Sequence, residues 1–423
     1  MRTIFLTAFH PFISSNILRT PVLSGLATAD GMRVIIITHE GCVDAYRREF
    51  GGPSVSVEGV ATAYDVMPRG SFLMKRLARA MGGMHTAQIT QGLVRASVLR
   101  RRAAAVFFYA PVAALGRVRV FRALLRLCDA RMIRDRRFDA LFAREKLVLV
   151  FSTDVQNEHD VALMRAARRR GIPVVATIRS WDNLVVHGIL RVIPDRLLVG
   201  SDFLKRDARA VSDVPLERIG VVGIPHYDRY LRGPTMGRET FLRSLSVSAE
   251  RPLIVYAPFG DMYIKDNDVD RFVIDELARR EATILVRLPP TDTVSLGDRP
   301  LPPNVVVYES GARTGGSARR EISRADDDHL INALAYASVV VSGPSTIMVD
   351  AAVFDTPIVL IGFGGPRRRA YYESALFQYS LSYFAPVLES GGVKMAHSCD
   401  EMHALIDQFL EDRVRDAAAR RRM

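Results

Sequence analysis

The stretch that most constrains the fold of this chain is Ser338–Phe363, SVVVSGPSTIMVDAAVFDTPIVLIGF. Val339–Val341 is a β-branched apolar run, typical of a parallel strand that is covered on both faces. Gly343–Thr346 breaks the run, and its hydroxyl side chains suit the start of a helix, which we expect over residues 347–354. Ile358–Ile361 then begins a second strand. Unpaired backbone N–H groups at such a turn face one point, so the sequence predicts an anion cradle, which we interpret as the site of a nucleotide-linked phosphate.

The same alternation of buried strand and helix runs along most of the chain. Strands at this spacing, each followed by a helical pattern, predict a parallel sheet and the α/β class. We expect two such domains, at residues 1–195 and 196–423. The predicted strands are Thr3–Ala8, Arg33–Thr38, Val55–Thr62, Leu147–Ser152, Pro173–Ile178, Arg196–Val199, Ile219–Val222, Leu253–Ala257, Thr283–Val286, Val305–Tyr308, Val339–Val341 and Ile358–Ile361.

The composition is that of a globular protein with a sizeable core, since 48% of the 423 residues are hydrophobic and 25% are charged. Cys42, Cys128 and Cys399 lie far apart without metal-ligand spacing, so we expect neither a disulfide framework nor a zinc site and favour a reducing cytoplasm. No apolar run reaches the roughly 18 residues that cross a bilayer. The first residues show no signal-peptide pattern and are interpreted as a strand.

A strongly basic helical stretch interrupts the α/β pattern at about residues 69–137, and we expect it to be an insertion in the first domain. The whole chain has a net charge of +12 and a pI near 9.9. Apolar residues such as Phe72, Leu77 and Leu124 interleave with the basic ones, which favours either an amphipathic surface for anionic lipid or a pair of solvated helices. Nucleic acid is less favoured, because no nucleic-acid-binding module surrounds the charge. The basic residues of this stretch include Lys75, Arg76, Arg79, Arg95, Arg100, Arg101, Arg102, Arg117, Arg119, Arg122 and Arg126.

Two further loops carry residues suited to ligand binding. The strand at Pro173–Ile178 delivers Arg179–Asn183, RSWDN, to the carboxyl edge of the predicted sheet, where open α/β sheets bind their ligands. Within it, Trp181 is the only tryptophan of the chain and suits packing better than a sugar platform. Gly223–Asp228, GIPHYD, forms a turn cluster after another strand.

Taken in order, these motifs resemble the donor-site signature of GT-B glycosyltransferases. The resemblance rests on Asp328–Val359, on the Gly223–Asp228 turn and on Val255–Pro258, VYAP. It is nearest to the branch with CDP-glycerol glycerophosphotransferases and bacterial surface-carbohydrate transferases, and Ser180–Gly188 is similar to a loop of polysaccharide-biosynthesis members. The resemblance implies a GT-B fold, in which two Rossmann-like domains with parallel sheets face each other across a cleft.

The resemblance places the nucleotide-donor site in the second domain. The Gly343–Thr346 turn would hold the diphosphate, and Asp350 would accept hydrogen bonds from the ribose diol. Where relatives commonly carry His-Pro after a strand, this chain has Leu288-Pro289-Pro290, so Arg287 is the expected positive charge at the phosphate. Arg367–Arg369 form either a second such source or a solvated charge run. The implied donor-binding residues are Gly223, Pro258, Arg287, Gly343, Pro344, Ser345, Thr346 and Asp350.

The resemblance also favours inverting transfer, because Ser342 stands where retaining relatives often carry an acid eight residues before Asp350. Inversion needs a general base near the acceptor hydroxyl and stabilisation of the leaving diphosphate. The candidates for the base, all in the first domain, are His10, Asp182 and Asp154. The residues expected at the acceptor or the domain interface are Ser180, Trp181 and Asn183.

Our leading hypothesis is a cytoplasmic enzyme, peripheral on the inner face of the plasma membrane. It would transfer a sugar or polyol phosphate from a nucleotide-activated donor to a glycan or lipid-linked acceptor in surface-polysaccharide biosynthesis, with no metal or other cofactor. Non-hydrolysing UDP-N-acetylglucosamine 2-epimerases share the fold, but Gly343–Thr346 lacks their acid-rich signature. A non-catalytic scaffold that docks on a membrane through the basic helices is the third hypothesis.

Overall fold

The computed structural model describes residues 2–63, 67–82, 107, 110–262, 264, 267–313, 320–367, 369, 371 and 374–423. The chain divides into two compact units: of the described residues, those up to His226 and Arg313 belong to unit 1, and the others belong to unit 2. Each unit is built on one large sheet of parallel strands with helices between them. The predicted α/β class and the two parallel-sheet domains are therefore confirmed.

Unit 1 contains a seven-stranded sheet in the order β3-β2-β1-β4-β5-β6-β7. The strand order switches direction between β1 and β4, where Phe5 pairs with Val150. At such a switch point the connections leave in opposite directions, which opens a crevice at the carboxyl ends of the two strands. The strands are β1 (Arg2–Ala8), β2 (Met32–His39), β3 (Val55–Val60), β4 (Leu147–Ser152), β5 (Val174–Thr177), β6 (Arg196–Val199) and β7 (Ile219–Val221).

Both faces of this sheet are covered, which explains why its strands are continuous apolar runs. Phe5 of β1 belongs to one core cluster, whereas its neighbours Ile4 and Leu6 belong to the cluster on the other face. The helices of unit 1 are α1 (Pro21–Thr28), α2 (Val43–Phe50), α3 (Arg69–Met81), α4 (Arg119–Met132), α5 (Asp139–Arg144), α6 (Glu158–Arg169), α7 (Asn183–His187) and α8 (Asp202–Ser212).

Unit 2 contains a six-stranded sheet in the order β10-β9-β8-β13-β14-β15, together with the small pair β11-β12. Its switch point lies between β8 and β13, where Ile254 pairs with Val339. The strands are β8 (Leu253–Ala257), β9 (Thr283–Leu288), β10 (Val305–Glu309), β11 (Ala312–Arg313), β12 (Arg320–Glu321), β13 (Val339–Ser342), β14 (Ile358–Ile361) and β15 (Lys394–Ala396). The helices are α9 (Tyr227–Tyr230), α10 (Arg238–Ser244), α11 (Val269–Leu277), α12 (Arg324–Tyr336), α13 (Ile347–Val353), α14 (Ala375–Tyr379), α15 (Ala385–Glu389), α16 (Cys399–Glu411) and α17 (Ala417–Arg422).

The division between the units falls after His226 rather than at the predicted boundary of 195/196. Strand β6 pairs with β5, with Leu197 opposite Ala176, and β7 pairs with β6. Residues 196–221 therefore extend the sheet of unit 1, and the predicted start of the second domain is wrong by these two strands.

The last residues of the chain are rich in arginine, yet they are folded. They form helix α17, in which Arg420 is 1% exposed. Its Nε atom lies 2.8 Å from Asp355 Oδ1, and its terminal nitrogens donate to the carbonyls of Arg413 and Arg415. A buried guanidinium is stable when its donors are satisfied in this way, so the tail is a packed part of unit 2.

The predicted basic insertion contributes helices α3 and α4 to unit 1. Met74 and Ala78 of α3 pack with Leu125 of α4 in one apolar cluster. Residues 83–106 lie outside the described residues, and with them the predicted basic residues Arg95 and Arg100–Arg102. None of the described helices combines the length and apolar character that crossing a bilayer requires.

Candidate functional site

In unit 1, the loops after β1 and β4 meet at the switch point of the sheet. Thr153 follows β4 and donates its hydroxyl to the Thr7 carbonyl at 2.8 Å, while its N–H donates to Thr7 Oγ1, also at 2.8 Å. These bonds hold the carboxyl ends of β1 and β4 side by side. As a result His10 and Asp154, two predicted catalytic residues, interact electrostatically.

Asp154 is a buried carboxylate that a guanidinium neutralises. Its Oδ2 atom accepts a hydrogen bond from Arg179 Nε at 2.8 Å, and the side chain is 6% exposed. Burial alone would raise the pKa of Asp154, but Arg179, followed by His10 and His187, outweighs burial and lowers it. Asp154 therefore stays ionised at neutral pH and is better suited to holding nearby positive charge than to accepting a proton.

His10 lies in the loop after β1 with one ring nitrogen already in use. Its Nδ1 atom accepts a hydrogen bond from the Phe12 N–H at 3.3 Å. In this arrangement a neutral ring carries its proton on Nε2, so Nε2 donates rather than accepts. For Nε2 to act as a base, the ring must adopt the other tautomer and release the Phe12 bond, at a cost of about 1 kcal/mol.

Asp160 of helix α6 is a second acid at this switch point, and the sequence analysis missed it. Its Oδ1 atom accepts hydrogen bonds from Ser152 Oγ at 2.8 Å and from Thr7 Oγ1. Its buried Oδ2 atom has no hydrogen-bond partner among the described residues. Burial, and next the charge of Asp154, raise the pKa of Asp160 to about 7. Asp160 therefore takes up and releases a proton in the physiological pH range, close to the charged Asp154.

The predicted RSWDN loop leads into the short helix α7. Asp182, the third predicted base, accepts the Val185 and Val186 N–H groups through its backbone carbonyl. Its carboxylate interacts with His187, whose pKa is lowered to about 4 mainly by burial. Trp181 packs against the core of unit 1, so its ring serves the packing that the sequence favoured.

The remaining residues of this loop divide between surface and core. Ser180 is half-buried and accepts the Asn183 N–H through its carbonyl, while Asn183 itself is 1% exposed. A fully buried amide is poorly placed to meet a large acceptor. Of the predicted acceptor residues, Ser180 is thus better placed than Asn183 to meet a ligand.

The switch point of unit 2 is built in the same way as that of unit 1. Pro258 directly follows β8, and Gly343 directly follows β13. Gly343 passes so close to Phe259 that an added Cβ would lie 2.6 Å from the ring, which explains the need for glycine. Ser345 Oγ accepts the Ile347 N–H at 3.4 Å, while the Thr346 side chain makes no cap. The predicted strand–turn–helix is confirmed, with Ser345 as its capping hydroxyl.

A buried carboxylate fixes the loop after β8. Asp270 accepts hydrogen bonds from the N–H groups of Phe259 and Gly260 at 2.8 and 3.1 Å. It also accepts the Tyr256 hydroxyl and the Asn267 amide, both at 2.6 Å. Because four donors converge on one buried group, the loop beside Gly343 has a fixed backbone before any ligand arrives.

Asp350, the predicted ribose ligand, lies on α13 and is hydrogen-bonded to the hydroxyl of Tyr227. Burial, and then the charge of Asp350, raise the pKa of that hydroxyl well above its usual value, so Tyr227 remains a donor. Tyr227, the fifth residue of the GIPHYD sequence, therefore lies against α13. Gly223 opens the same turn with a positive φ of 77° and is exposed. Asp350 is half-buried, and a carboxylate with about four acceptor sites is chemically suited to a diol.

Arg287 and the arginines after β14 are engaged with protein groups. Arg287 is 8% exposed and donates to Ser310 Oγ at 3.1 Å and to the Asp326 carbonyl at 3.0 Å. Arg367 and Arg369 both pair with Asp268, at 2.8 Å for Arg367 Nε. Arg368 lies outside the described residues. The arginines that were predicted to bind a phosphate therefore stabilise loops of unit 2 in this structure.

Glu276, Cys399 and His403 bring three potential metal-ligand atoms within 4.8 Å of one another. However, Arg280 donates to His403 Nδ1 at 2.9 Å, so a neutral ring carries its proton on Nε2, the atom that faces Glu276. A ligating imidazole needs the reverse, with its outer N–H donating to an acceptor. We interpret the group as a polar link between α11 and α16.

Solved structures share this architecture. A Listeria monocytogenes protein with a provisional assignment as a UDP-N-acetylglucosamine 2-epimerase aligns over 100% of this chain and 91% of its own, at TM-score 0.56 and 9% identity. The UDP-GlcNAc 2-epimerase of Neisseria meningitidis, bound to UDP-GlcNAc, aligns over 99% and 94%, at TM-score 0.50 and 11% identity. The chain has the GT-B fold.

A glycosyltransferase of Rickettsia africae also aligns, over 100% and 93%, but its TM-score of 0.46 at 10% identity is too low to carry an argument. No protein-family model and no curated protein matches the chain. At these identities the likeness establishes the fold alone. The branch of CDP-glycerol glycerophosphotransferases and the choice between transferase and epimerase stay predictions.

Proposed function

We propose that this GT-B protein is a nucleotide-sugar-dependent glycosyltransferase. The observation that carries the proposal is the position of the predicted residues at both switch points. Asp154 lies two residues after β4, while Pro258 and Gly343 directly follow β8 and β13. Open α/β sheets bind nucleotides and their substrates at such points, because loops of two adjacent strands line one crevice there.

In this proposal unit 2 binds the donor. The backbone of the Gly343–Thr346 turn approaches the diphosphate, and the hydrogen bonds that Phe259 and Gly260 donate to Asp270 fix the neighbouring loop. The Asp350 carboxylate, oriented by the Tyr227 hydroxyl, accepts the ribose hydroxyls. A preformed site of this kind binds a flexible nucleotide with a smaller loss of conformational entropy.

Unit 1 supplies the proton acceptor. The His10 ring first takes the tautomer with its proton on Nδ1 and releases the Phe12 N–H. The acceptor oxygen then forms a bond to the anomeric carbon, the bond from that carbon to the diphosphate breaks, and the acceptor's proton passes to His10 Nε2. Asp154 stabilises the imidazolium that results, since the two groups attract each other. The same geometry would serve transfer of a polyol phosphate, with phosphorus as the atom attacked. No metal or cofactor takes part.

The epimerase is the second candidate, because four neighbours with TM-scores of 0.50 or more carry that name. Incubation with a nucleotide sugar alone separates the two reactions. A 2-epimerase inverts the configuration at carbon 2 of the sugar without an acceptor. A transferase releases the nucleoside diphosphate only when an acceptor is supplied.

Isothermal titration with UDP, GDP and CDP tests donor binding. We expect one of the three to bind, and Asp350→Asn to weaken that binding about tenfold or more, since it removes a charged acceptor of two ribose hydroxyls. Tyr227→Phe should weaken it about fivefold, because Asp350 loses its orienting bond. Glu239→Gln, an exposed acid of unit 2, is the matched control. Absence of binding by all three nucleotides contradicts the proposal.

A further inference from the structure

Helix α4 exposes several of its apolar side chains and buries charged ones beside the apolar Leu125. Its exposed face carries Val120, Leu124, Leu127 and Met132, which are 57, 47, 44 and 69% exposed. Its inner face carries charged residues, of which Arg122 and Asp129 are 8% and 0% exposed. Surface helices normally direct apolar residues inward and charged residues to solvent.

The inner charges of α4 have specific partners in unit 1. Arg122 donates to the Ala210 and Val211 carbonyls at 3.1 and 3.0 Å, and Arg126 donates to the Ser212 carbonyl. These carbonyls end helix α8, so the two guanidinium groups satisfy its last acceptors and its dipole.

Asp129, the third inner charge, is paired with two buried arginines. Its Oδ1 atom lies 2.9 Å from Arg165 and 3.4 Å from Arg191. Rotating α4 to bury its leucines would break these ion pairs and leave charges unpaired, which is far costlier than exposing the apolar face. The outward direction of that face is therefore fixed by the fold.

A cationic groove of about 620 Å³ adjoins the end of this face. Its lining includes Arg131, Arg134 and Arg136, which are exposed and make no side-chain hydrogen bond or ion pair among the described residues. Two other lining arginines are engaged: Arg169 with the Ala130 carbonyl and Arg170 with Asp139. Three guanidinium groups are thus available beside four exposed apolar side chains.

We propose that this α4 surface, defined as Val120, Leu124, Leu127, Arg131, Met132, Arg134 and Arg136, docks on an anionic phospholipid bilayer. The apolar side chains enter the boundary between headgroups and acyl chains, and the arginines bind lipid phosphates, for which the guanidinium fork is well matched. A soluble acidic partner would account for the arginines but not for the apolar face. The inference does not depend on the transferase proposal, because none of these residues belongs to the site described above.

Vesicle sedimentation with the full chain tests the surface. We expect binding to vesicles of phosphatidylglycerol and phosphatidylcholine in equal parts, weakened by salt, and none to phosphatidylcholine alone. Arg131→Ala/Arg134→Ala/Arg136→Ala should lower the partition coefficient about 100-fold, at about fivefold for each basic residue near an anionic membrane. Leu124→Asp/Leu127→Asp should lower it at least as much, since it places two charges against the acyl chains.

The control variant Arg48→Ala/Arg232→Ala/Arg251→Ala removes the same charge from exposed positions elsewhere and should bind like the unmodified chain. An equal loss of vesicle binding in the control variant would show that net charge alone attracts the vesicles, and it would overturn the proposal. So would failure of the unmodified chain to bind anionic vesicles.

Two other occupants of this face give different results. If Leu124→Asp/Leu127→Asp turns a dimer into a monomer in analytical ultracentrifugation, the face binds a second copy. If it lowers the melting temperature by many degrees while the unmodified chain ignores vesicles, residues 83–106 of the same chain cover the face. Either result overturns the membrane proposal, whereas unchanged mass and melting temperature with lost vesicle binding support it.

Discussion

Replacing Asp160 with asparagine tests the buried acid pair at the switch point of unit 1. The substitution keeps an oxygen for the Ser152 and Thr7 hydroxyls but removes the titratable proton. Burial and the neighbouring charge of Asp154 raise the pKa of Asp160 from 3.8 to about 7 in the folded chain. The folded state therefore holds a proton that the unfolded chain releases at much lower pH.

The sign of the effect follows from this raised pKa. Below about pH 4 both states are protonated and Asp160 causes no loss of stability. As pH rises from 4 to 7, the unfolded chain ionises while the folded chain does not, so stability falls, and above pH 7 the loss is constant. For a pKa shift from 3.8 to about 7, the loss between pH 5 and pH 8 is about 2.5 kcal/mol, at about 1.4 kcal/mol per pKa unit.

Urea unfolding at pH 5 and pH 8 measures this difference. Trp181 is the only tryptophan and packs in the core of unit 1, so its fluorescence follows the unit that contains Asp160. Relative to the unmodified chain, Asp160→Asn should gain about 2.5 kcal/mol of stability on going from pH 5 to pH 8. In an Asp154→Asn background the gain should shrink, because the charge of Asp154 is the second cause of the shift. An Asp160→Asn difference that is the same at both pH values would refute the argument.

Three further predictions concern the site and the tail. His10→Asn and His10→Gln should each lower transfer at least 100-fold with donor affinity unchanged, and if His10→Asn, which keeps an acceptor for the Phe12 N–H, retains activity, the role of His10 is structural. Gly343→Ala should reduce unit 2 stability by about 1–3 kcal/mol in urea unfolding and weaken nucleotide binding, because its Cβ meets Phe259 at 2.6 Å. Gly237→Ala, where the space is open, changes only the N-cap of α10 and should cost less than about 1 kcal/mol. Arg420→Ala should lower the stability of unit 2 by about 2–3 kcal/mol in thermal unfolding, since two carbonyls lose their donor and half-buried Asp355 keeps only the longer ion pair with Arg421 at 3.9 Å. An unchanged melting temperature would show that α17 contributes little.

Strands that are buried on both faces could be predicted from the sequence almost to the residue. Leu253–Ala257 and Ile358–Ile361 match β8 and β14 at both ends, because their apolar β-branched runs stop where the chain leaves the sheet. Lys394–Ala396, the edge strand β15, was missed, since three residues with a lysine carry no such pattern. Which sheet a strand joins is set by pairing between distant segments, and this is why the domain boundary was placed too early.

The site shows the same limit. Asp154 and Gly343 were predictable because each comes just after a buried strand, and position after a strand is a local property. Asp160 and Asp270 lie on helices, and their carboxylates accept N–H groups of the loops that follow β4 and β8. Only the folded chain shows these contacts. The packing of the tail is hidden from the sequence for a similar reason: an arginine run resembles a solvated segment until its partner Asp355, far away in sequence, is known.

The two arginines of α4 that bind the last carbonyls of helix α8 have a consequence for the orientation of unit 1 on a membrane. Because Arg122 and Arg126 fasten α4 to the carbonyls at the end of α8, α4 is part of a rigid body and not a tether. A bilayer that receives its outer face would set the tilt and height of the whole sheet of unit 1 above the lipid plane. The crevice at His10 and Asp154 would then meet only acceptors whose hydroxyl lies at a fixed distance from the membrane. That distance, and not the shape of the pocket alone, would select among lipid-linked glycans.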